Sequence, residues 1–310
     1  MANDIRRPNI LFAVADDASH MSAYGHRFVH TPNFDRVAEA GILFLNAFTP
    51  NPKCAPSRAC ILTGRHTWQL EEACNHYGLF PAKFPVYPDL LERAGYVVGF
   101  TGKGWAPGDW KRGGRSRNPA GPAFNERTLT PPAGTRINRN DYAANFADFL
   151  AQRPADQPFC FWYGGFEPHR PYEPGEGLRA GKRPDTVDVP GFLPNVDVVR
   201  EDLLDYANEI EWFDRHLGLM LDQLEAIGEL DNTLVVVTSD NGMPFPRVKG
   251  NMYEPDFHLP MALCWPAATS GCRRVEDLVS FVDLAPTFLA AAGVEAPTEL
   301  VGRSLLSIVE

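Results

Sequence analysis

Residues 51–65 read N-P-K-C-A-P-S-R-A-C-I-L-T-G-R, and this stretch gives the first indication of how the chain folds. Pro56 suits the first turn of a helix, because the N–H that proline lacks has no partner there. Gly64 suits the C-terminal cap of the same helix. The stretch therefore predicts a short helix with Cys54 at or just before its N-terminus. Arg58 then lies one turn further on, on the same face as Cys54.

The pairing of Cys54 with Arg58 has two interpretations at this point. A helix N-terminus favours an anion, and a cysteine beside a permanently charged guanidinium suits an anionic substrate. Alternatively, Cys54 is a buried structural cysteine, which is a common environment for this residue. The protein tyrosine phosphatases also pair cysteine with arginine, but with a longer spacing than the three intervening residues found here. That class of enzyme is therefore excluded.

The twelve residues C-A-P-S-R-A-C-I-L-T-G-R resemble the signature of the type I sulfatases, C-x-P-S-R-x4-T-G. The resemblance implies an α/β fold of the alkaline-phosphatase-like sandwich type, with a mostly parallel central sheet and helices on both faces. It also implies that a formylglycine-generating maturation enzyme oxidises Cys54 to formylglycine before the chain folds.

Composition limits the class of protein and the kind of partner. The 310 residues can bury a sizeable core, and their net charge of −10 excludes a general nucleic-acid binder. No apolar run approaches the length of a membrane span. Six scattered cysteines without a C-x-x-C pair argue against a disulfide framework. The oligomeric state is not predicted.

The resemblance also bears on domain organisation and compartment. It implies that residues 1–310 form a single sulfatase catalytic domain. The smaller C-terminal subdomain of the family, which contributes to the pocket rim, is then expected to be absent after residue 310. The N-terminal residues M-A-N-D-I-R-R-P-N-I contain no apolar segment typical of a signal peptide. Family members are often periplasmic, lysosomal or secreted, and the compartment of this chain stays open.

Hydrophobic patterning predicts strands that alternate with helices. The predicted strands are 10–15, 42–48, 96–100, 159–163 and 233–238, and the predicted helices are 34–40, 87–94, 142–150, 201–227 and 284–292. The apolar stripe of 201–227 is typical of core packing. Such alternation favours an α/β fold with a mostly parallel sheet. Residues 106–140 and 171–200 are predicted to be irregular. The first of these loops carries most of a basic run at 110–140, which has one acidic residue, Glu126.

Four of the predicted strands are each followed by a polar cluster. The clusters are Asp16-Asp17, Thr101-Gly102-Lys103, Glu167-Pro168-His169-Arg170 and Asp240-Asn241-Gly242. One such cluster alone would be typical of a turn. Open α/β sheets bind ligands at the carboxyl ends of their strands, so four clusters together predict one shared crevice.

Asp16, Asp17, Asp240 and Asn241 bring three carboxylates and an amide to that crevice. Oxygen ligands suit Ca²⁺ or Mg²⁺, whereas zinc prefers histidine or cysteine. For Asp16 and Asp17 the alternative is a solvated strand end. The resemblance assigns these four residues, with the modified Cys54, to a divalent cation that is usually calcium.

The resemblance further assigns three residues to the sulfate group of the substrate. They are Lys103 in T-G-K-G-W, His169 in P-H-R-P and Lys249 in V-K-G-N-M-Y-E. Without the resemblance, the lysines are interpreted as surface residues and His169 as a loop histidine. In the mechanism that the resemblance implies, the formylglycine hydrate attacks sulfur, and cationic side chains including Arg58 stabilise the sulfonyl oxygens. His169 is the expected general acid for the leaving group.

One position departs from the family pattern. The family places a histidine two residues after the lysine, where this chain has Trp105. That histidine touches the formylglycine hydroxyl and helps release sulfate. Either His20 or His66 takes over its role, or the second half of the reaction is slow.

Several segments indicate the substrate. S-D-N-G-M-P-F-P, P-G-F-L-P-N, V-D-L-A-P-T-F-L and G-R-S-L-L resemble the N-sulfoglucosamine sulfohydrolases. The resemblance implies hydrolysis of a sulfate ester or sulfamate of a sulfated saccharide, above all the N-sulfate of glucosamine in heparan-type glycans. The alternatives are an O-sulfatase acting on another sulfated glycan, a phosphodiesterase or phosphonate monoester hydrolase, and a non-catalytic binder of sulfated glycans whose Cys54 stays a thiol.

Overall fold

A single mixed sheet runs through the computed structural model, which describes residues 7–269 and 271–309. Its strands are β1 (Asn9–Ala15), β2 (Ile42–Phe48), β3 (Val97–Gly102), β4 (Phe159–Gly164), β5 (Thr233–Ser239), β6 (His258–Cys264) and β7 (Arg273–Ser280). They lie in the order β3-β4-β1-β5-β6-β2-β7. Strand β6 is antiparallel to both neighbours and every other pair is parallel. The mostly parallel sheet is confirmed, whereas β6 and β7 were not predicted.

The helices follow the sequence pattern closely. They are α1 (Pro32–Ala40), α2 (Cys54–Thr63), α3 (Tyr87–Arg93), α4 (Tyr142–Gln152), α5 (Glu176–Arg179), α6 (Asp197–Ala226), α7 (Glu254–Phe257), α8 (Leu284–Ala291) and α9 (Leu306–Val309). Helix α6 begins four residues earlier than predicted. The predicted loop 106–140 contains only turns, bends and isolated bridges.

Two hydrophobic cores flank the sheet, because successive side chains of a strand point to opposite faces. On one side, Phe12 of β1 packs in a core that includes residues of α2, α3 and α8. On the other, Leu11 packs in a core that includes residues of α1, α4 and α6. Strand β1 is buried along its whole length, as expected for a central parallel strand covered on both faces.

Helix α6 supplies the longest packed face of the second core. Leu203, Ile210, Leu217 and Leu224 are fully buried along one side, which confirms the core role predicted for this stripe. Within the described residues, none of the helices is both long enough and apolar enough to cross a membrane.

Candidate active site

The carboxyl ends of four neighbouring strands meet at one edge of the sheet, as predicted. The polar residues that follow them are Asp16 and Asp17 after β1, Lys103 after β3, His169 after β4, and Asp240 and Asn241 after β5. Backbone hydrogen bonds join these ends. The N–H of Asp16 donates to the carbonyl of Glu167 at 3.1 Å, and the N–H of Asp240 donates to the carbonyl of Ala15 at 3.1 Å. Parallel register thus places the polar clusters side by side.

Helix α2 presents Cys54 to this edge. The helix begins at Cys54 and ends at Gly64, which has the left-handed φ of 64° expected of a C-cap glycine. The Cys54 side chain is fully buried, and its Sγ lies 3.2 Å from Asp16 Oδ1 and 4.0 Å from Asp17 Oδ1. Burial, together with the neighbouring carboxylates of Asp16 and Asp240, raises the pKa of the Cys54 thiol well above its usual value. An unmodified Cys54 is therefore a poor nucleophile.

Arg58 lies one turn along α2 and is also fully buried. Its Nε donates to Asp240 Oδ2 at 2.7 Å, and its Nη1 donates to the carbonyl of Lys103 at 2.6 Å. Its Nη2 has no hydrogen-bond partner within the described residues and lies 4.0 Å from Asp16 Oδ1. The guanidinium is thus fixed in place with one nitrogen left for a ligand.

Four of the candidate metal ligands form a compact cluster. One ligand atom each of Asp16, Asp17, Cys54 and Asp240 lies within 4.8 Å of the others. Asn241 Nδ2 donates to Asp17 Oδ1 at 2.7 Å, whereas its buried Oδ1 has no hydrogen-bond partner among the described residues. Burial and the charge of Asp16 raise the pKa of Asp240 to about 6. Three crowded carboxyls and an unpaired amide oxygen fit a hard divalent cation.

Cationic side chains surround the carboxylates. Lys103 Nζ pairs with Asp16, and Lys249 Nζ lies 2.6 Å from Asp17 Oδ2. Burial lowers the pKa of Lys103, but the charge of Asp16 outweighs it, so the pKa lies above its usual value. An imidazole nitrogen of His169 lies within 4.8 Å of Cys54 and Asp16. Lys103 and Lys249 are therefore ion-paired within the cluster and are not isolated surface lysines, whereas His169 is an exposed loop residue beside it.

The whole arrangement matches a known family. The Sulfatase family model covers residues 8–294. The chain belongs to the sulfatase family. It is 32% identical to N-sulphoglucosamine sulphohydrolase of Homo sapiens, over 98% of this chain and 66% of the relative. It is 27% identical to N-acetylglucosamine-6-O-sulfatase of Bacteroides thetaiotaomicron, over 99% of this chain and 72% of the relative. The chain thus spans about two thirds of the length of these curated relatives.

Solved structures confirm the predicted fold class. One neighbour, solved in complex with its substrate D-glucosamine-2-N,6-O-disulfate, has a TM-score of 0.78 at 24% identity, over 98% of this chain and 80% of the other. Phosphonate monoester hydrolase of Agrobacterium radiobacter has a TM-score of 0.78 at 22% identity, over 98% of this chain and 77% of the other. At this identity the likeness shows the shared alkaline-phosphatase-like fold.

In this family member, Trp105 is part of the core. Its side chain is buried, contacts Phe80 with ring centroids 5.1 Å apart, and donates from Nε1 to the carbonyl of Ala55 at 2.9 Å. The indole therefore closes the space beneath the start of α2 and does not face the substrate side.

Neither histidine proposed as a substitute lines the cleft above the cluster. His20 packs against His26 at a ring distance of 4.5 Å, and His66 stacks on Trp68 at 4.2 Å. The cleft contains His76 instead, beside Lys103. The expectation for His20 and His66 was wrong because the side chain that reaches the cleft comes from a turn with no recognisable pattern in sequence.

The cleft has a volume of about 400 Å³ and opens above the buried cluster. Besides Asp16, Lys103 and His169, its walls include Glu167 and Arg170 of the polar cluster predicted after β4, Arg136 of the basic run, and four residues that were not predicted: His76, Tyr77, Asn138 and Glu209. Glu167 is held by the Tyr142 hydroxyl, which donates to Oε2 at 2.7 Å. Burial raises the pKa of Glu167 to about 7. No sequence motif indicated His76, Tyr77 or Glu209, because only the fold brings them to this cavity.

Most basic side chains of the run at 110–140 pair with acidic side chains of the same chain. Arg115 and Arg117 both pair with Asp89 of α3, and Arg127 binds Asp148 of α4 with an Nε–Oδ2 distance of 2.6 Å. Arg136 of this run lines the cleft, and so does Asn138. These ion pairs therefore hold the loop against the helices, and they leave less basic surface open to a ligand.

Proposed function

We propose that the protein hydrolyses a sulfate ester or sulfamate of a sulfated saccharide, and that its substrate is the N-sulfate of glucosamine in heparan-type glycans. One arrangement supports this proposal above all. Cys54 lies at the start of α2 against Asp16, and Nη2 of the neighbouring Arg58 has no hydrogen-bond partner within the described residues. The names of the two glucosamine-directed relatives support the substrate class. The structural neighbour solved with a disulfated glucosamine as its substrate supports it further.

Asp16, Asp17, Asp240 and Asn241 would hold the cation, which we propose to be Ca²⁺, with Mg²⁺ as the alternative. Bound there, the ion would supply positive charge beside position 54 and the sulfate oxygens. We propose that Cys54 is converted to formylglycine by the maturation enzyme, because the thiol in this environment resists ionisation. The hydrated aldehyde provides an oxygen nucleophile in place of sulfur.

The protein's own side chains would bind the anion and transfer protons. Arg58, Lys103 and Lys249 surround the cluster with fixed positive charge that can orient the sulfate and stabilise its oxygens in the transition state. His169, close to both Cys54 and Asp16, would donate a proton to the leaving nitrogen or oxygen.

We assign to His76 the proton acceptance that the family histidine would otherwise provide. Burial and the charges of Lys249 and Lys103 lower the pKa of His76 to about 4, so its imidazole is neutral at neutral pH. It lines the cleft beside Lys103, and its Nδ1 has no hydrogen-bond partner within the described residues. Its ring nitrogen is therefore free to accept a proton, but the low pKa makes it a weaker base than an ordinary histidine, which agrees with a slow second half of the reaction.

An O-sulfatase is the second candidate. The relative from Bacteroides thetaiotaomicron is named as acting at the 6-O position, and its identity of 27% is close to the 32% of the N-directed relative. Both reactions require the same anion site and differ in the atom that receives the proton. Phosphonate monoester hydrolysis rests on the shared fold alone, and a non-catalytic role requires an unmodified thiol at Cys54.

Two measurements on protein from the native host test the proposal. Oxidation of Cys54 to formylglycine lowers the intact mass by about 18 Da, and we expect most of the protein to show this. The same sample should release sulfate from N-sulfoglucosamine faster than from glucosamine 6-sulfate. A Cys54→Ala variant is the control and should release none. An unmodified mass with no sulfate release from either sugar would refute the proposed function.

A further inference from the structure

Glu209 of α6 is a buried acid with an open hydrogen-bonding position on the cleft wall. Its side chain lines the cleft together with Asn138 and Arg136, yet the residue is only 2% exposed. Its Oε1 has no hydrogen-bond partner in the described part of the chain. A buried polar atom without a partner destabilises the fold, so an unpaired oxygen of a residue in a cavity wall indicates that a bound ligand or an ordered water completes its hydrogen bonding.

The acids around Glu209 already have partners of their own. Glu167 accepts from the Tyr142 hydroxyl at 2.7 Å, and Asp205 accepts from the N–H groups of Gly175 and Gly177 at 2.9 and 2.8 Å. Among the described residues, Glu209 is therefore the member of this acidic group that lines the cleft and has a carboxyl oxygen without a partner.

The surroundings determine which ligand group Glu209 can accept. Burial and the charge of Glu167 raise the pKa of Glu209 to about 10, so the side chain is a neutral carboxylic acid at neutral pH. Such a group offers one O–H donor and one carbonyl acceptor. The nearby carboxyls of Glu167, Glu176 and Asp205 disfavour a sulfate or uronate at this point. A sugar hydroxyl, which both donates and accepts, is complementary to it.

We propose that Glu209 binds ring hydroxyl groups of the sulfated sugar and so makes the cleft selective for saccharides over other sulfate esters. This inference rests on the proposed sulfatase function. Asp16 and Lys103 line the same cleft as Glu209, so one sugar residue can place its sulfate over the buried cluster and its hydroxyls against α6. Glu209 is then a specificity residue that contacts the substrate away from the reacting sulfur.

Two variants separate hydrogen bonding from charge. Glu209→Leu removes both hydrogen-bonding functions, whereas Glu209→Gln keeps one donor and one acceptor without the capacity to ionise. Glu211→Gln is the matched control: Glu211 lies two residues along the same helix, pairs with Lys182 and is not part of the cleft wall. Each variant is assayed with N-sulfoglucosamine, glucosamine 6-sulfate and the aryl ester 4-nitrocatechol sulfate.

For Glu209→Leu we expect kcat/KM for the sugar to fall about tenfold more than kcat/KM for the aryl ester. Glu209→Gln should recover most of that loss, and Glu211→Gln should match the wild type. The melting temperature of Glu209→Leu should equal or exceed that of the wild type, because an unpaired buried carboxyl is removed. A lower melting temperature with equal losses on both substrate types would assign Glu209 a structural role and overturn the inference.

Two further results would also overturn the inference. Unchanged sugar selectivity in Glu209→Leu would show that the carboxyl does not contact the saccharide. Equal losses in Glu209→Gln and Glu209→Leu would show that the donor and acceptor groups kept by glutamine do not contact the sugar. Calorimetric binding of N-sulfoglucosamine to Cys54→Ala, with and without Glu209→Leu, gives a second readout independent of turnover. Absence of sulfate release by the wild type would therefore refute the proposed function, and the calorimetric comparison would still decide whether Glu209 binds the sugar.

Discussion

At the scale of single residues, the site depends on side chains fixed by the backbone around them. Arg58 illustrates this, because two of its nitrogens bind Asp240 and the carbonyl of Lys103, which follow different strands. A planar guanidinium can make both contacts and still direct a third nitrogen elsewhere, which a lysine cannot do. This residue therefore joins helix α2 to two strand ends while leaving a donor for an anion.

Trp105 provides a prediction at this scale. Replacing it with histidine restores the family residue in sequence, but leaves a cavity beside Phe80 and removes most of a buried side chain. We expect Trp105→His to lower the free energy of unfolding by about 3 kcal/mol without raising turnover. Urea denaturation and sulfate release measure the two effects. An increase in turnover at unchanged stability would show that position 105 faces the substrate.

At the scale of elements, the proposed cation site is a property of strand ends. Strands β1 and β5 are neighbours in parallel register, so Asp16 and Asp17 meet Asp240 and Asn241 without any long connection. The α2 helix adds position 54 from the other side of the cluster. Each element alone would end in an ordinary polar turn, and only their packing crowds three carboxyls together.

This crowding predicts stabilisation by calcium. An ion that binds only the folded protein should raise the free energy of unfolding by about 2.7 kcal/mol at a hundredfold excess over its Kd. Thermal unfolding in Ca²⁺, in Mg²⁺ and in a chelator measures the effect. An Asn241→Ala variant, which lacks the unpaired amide oxygen, should respond less to either ion. An equal response in the variant, or none in the wild type, would contradict the assignment.

Helix α6 also stabilises α1 through a buried acid. Asp214 accepts hydrogen bonds from the backbone N–H groups of Asn33 and Phe34 at 3.0 and 2.7 Å. Burial raises the pKa of Asp214 to about 6 from an ordinary value of 3.8. Because the folded-state pKa is raised, the stability linked to this group is complete below pH 3.8 and declines as the pH rises through 6.

An Asp214→Asn variant isolates that contribution, since its side chain does not titrate. The stability of the wild type relative to this variant should fall by about 2 to 3 kcal/mol between pH 4 and pH 7. Urea denaturation at several pH values measures the difference. A difference that is constant across this range would show that Asp214 is ionised in the folded state with an ordinary pKa.

At the scale of the whole molecule, the last described residues reinforce the helix that carries Cys54. The N–H of Val301 donates to the carbonyl of Gly64 at 2.9 Å, directly after α2. The N–H of Leu305 donates to Thr287 Oγ1 at 2.8 Å, and the side chains of Leu305 and Val309 are buried. Residues distant in sequence thus join one core beneath the site.

Deletion of residues 301–310 should therefore be costly. Without Leu305 and Val309, the core residues that they cover become exposed. We expect this to lower the free energy of unfolding by about 3 to 6 kcal/mol, from the apolar area lost. Thermal unfolding of the deletion variant measures this loss. Ser307→Ala, at an exposed position in the same segment, is the control and should change little. A deletion variant as stable as the wild type would show that the segment packs only loosely.

Local features of the fold could be predicted from the amino-acid pattern of single segments. The sequence predicted the start of α2 at Cys54, the apolar face of α6 and the central strands β1 and β5, because these depend on periodicity and capping within one segment. It also identified the sulfatase family from the residues around Cys54, because a short motif fixes a local chemistry. Strand β7 was missed because it is a largely exposed edge without an apolar run, whereas β6 was missed although it is apolar and buried.

The set of side chains that share the cleft depends on how the elements pack in three dimensions. Trp105 turns into the core, His76 reaches the cleft from a turn, and His20 and His66 do not line it. Glu209 lies within a helix whose pattern indicates only packing, and its unpaired carboxyl becomes visible once the cavity beside it is formed. Contacts between residues far apart in sequence depend on how elements pack, and no local pattern records that packing.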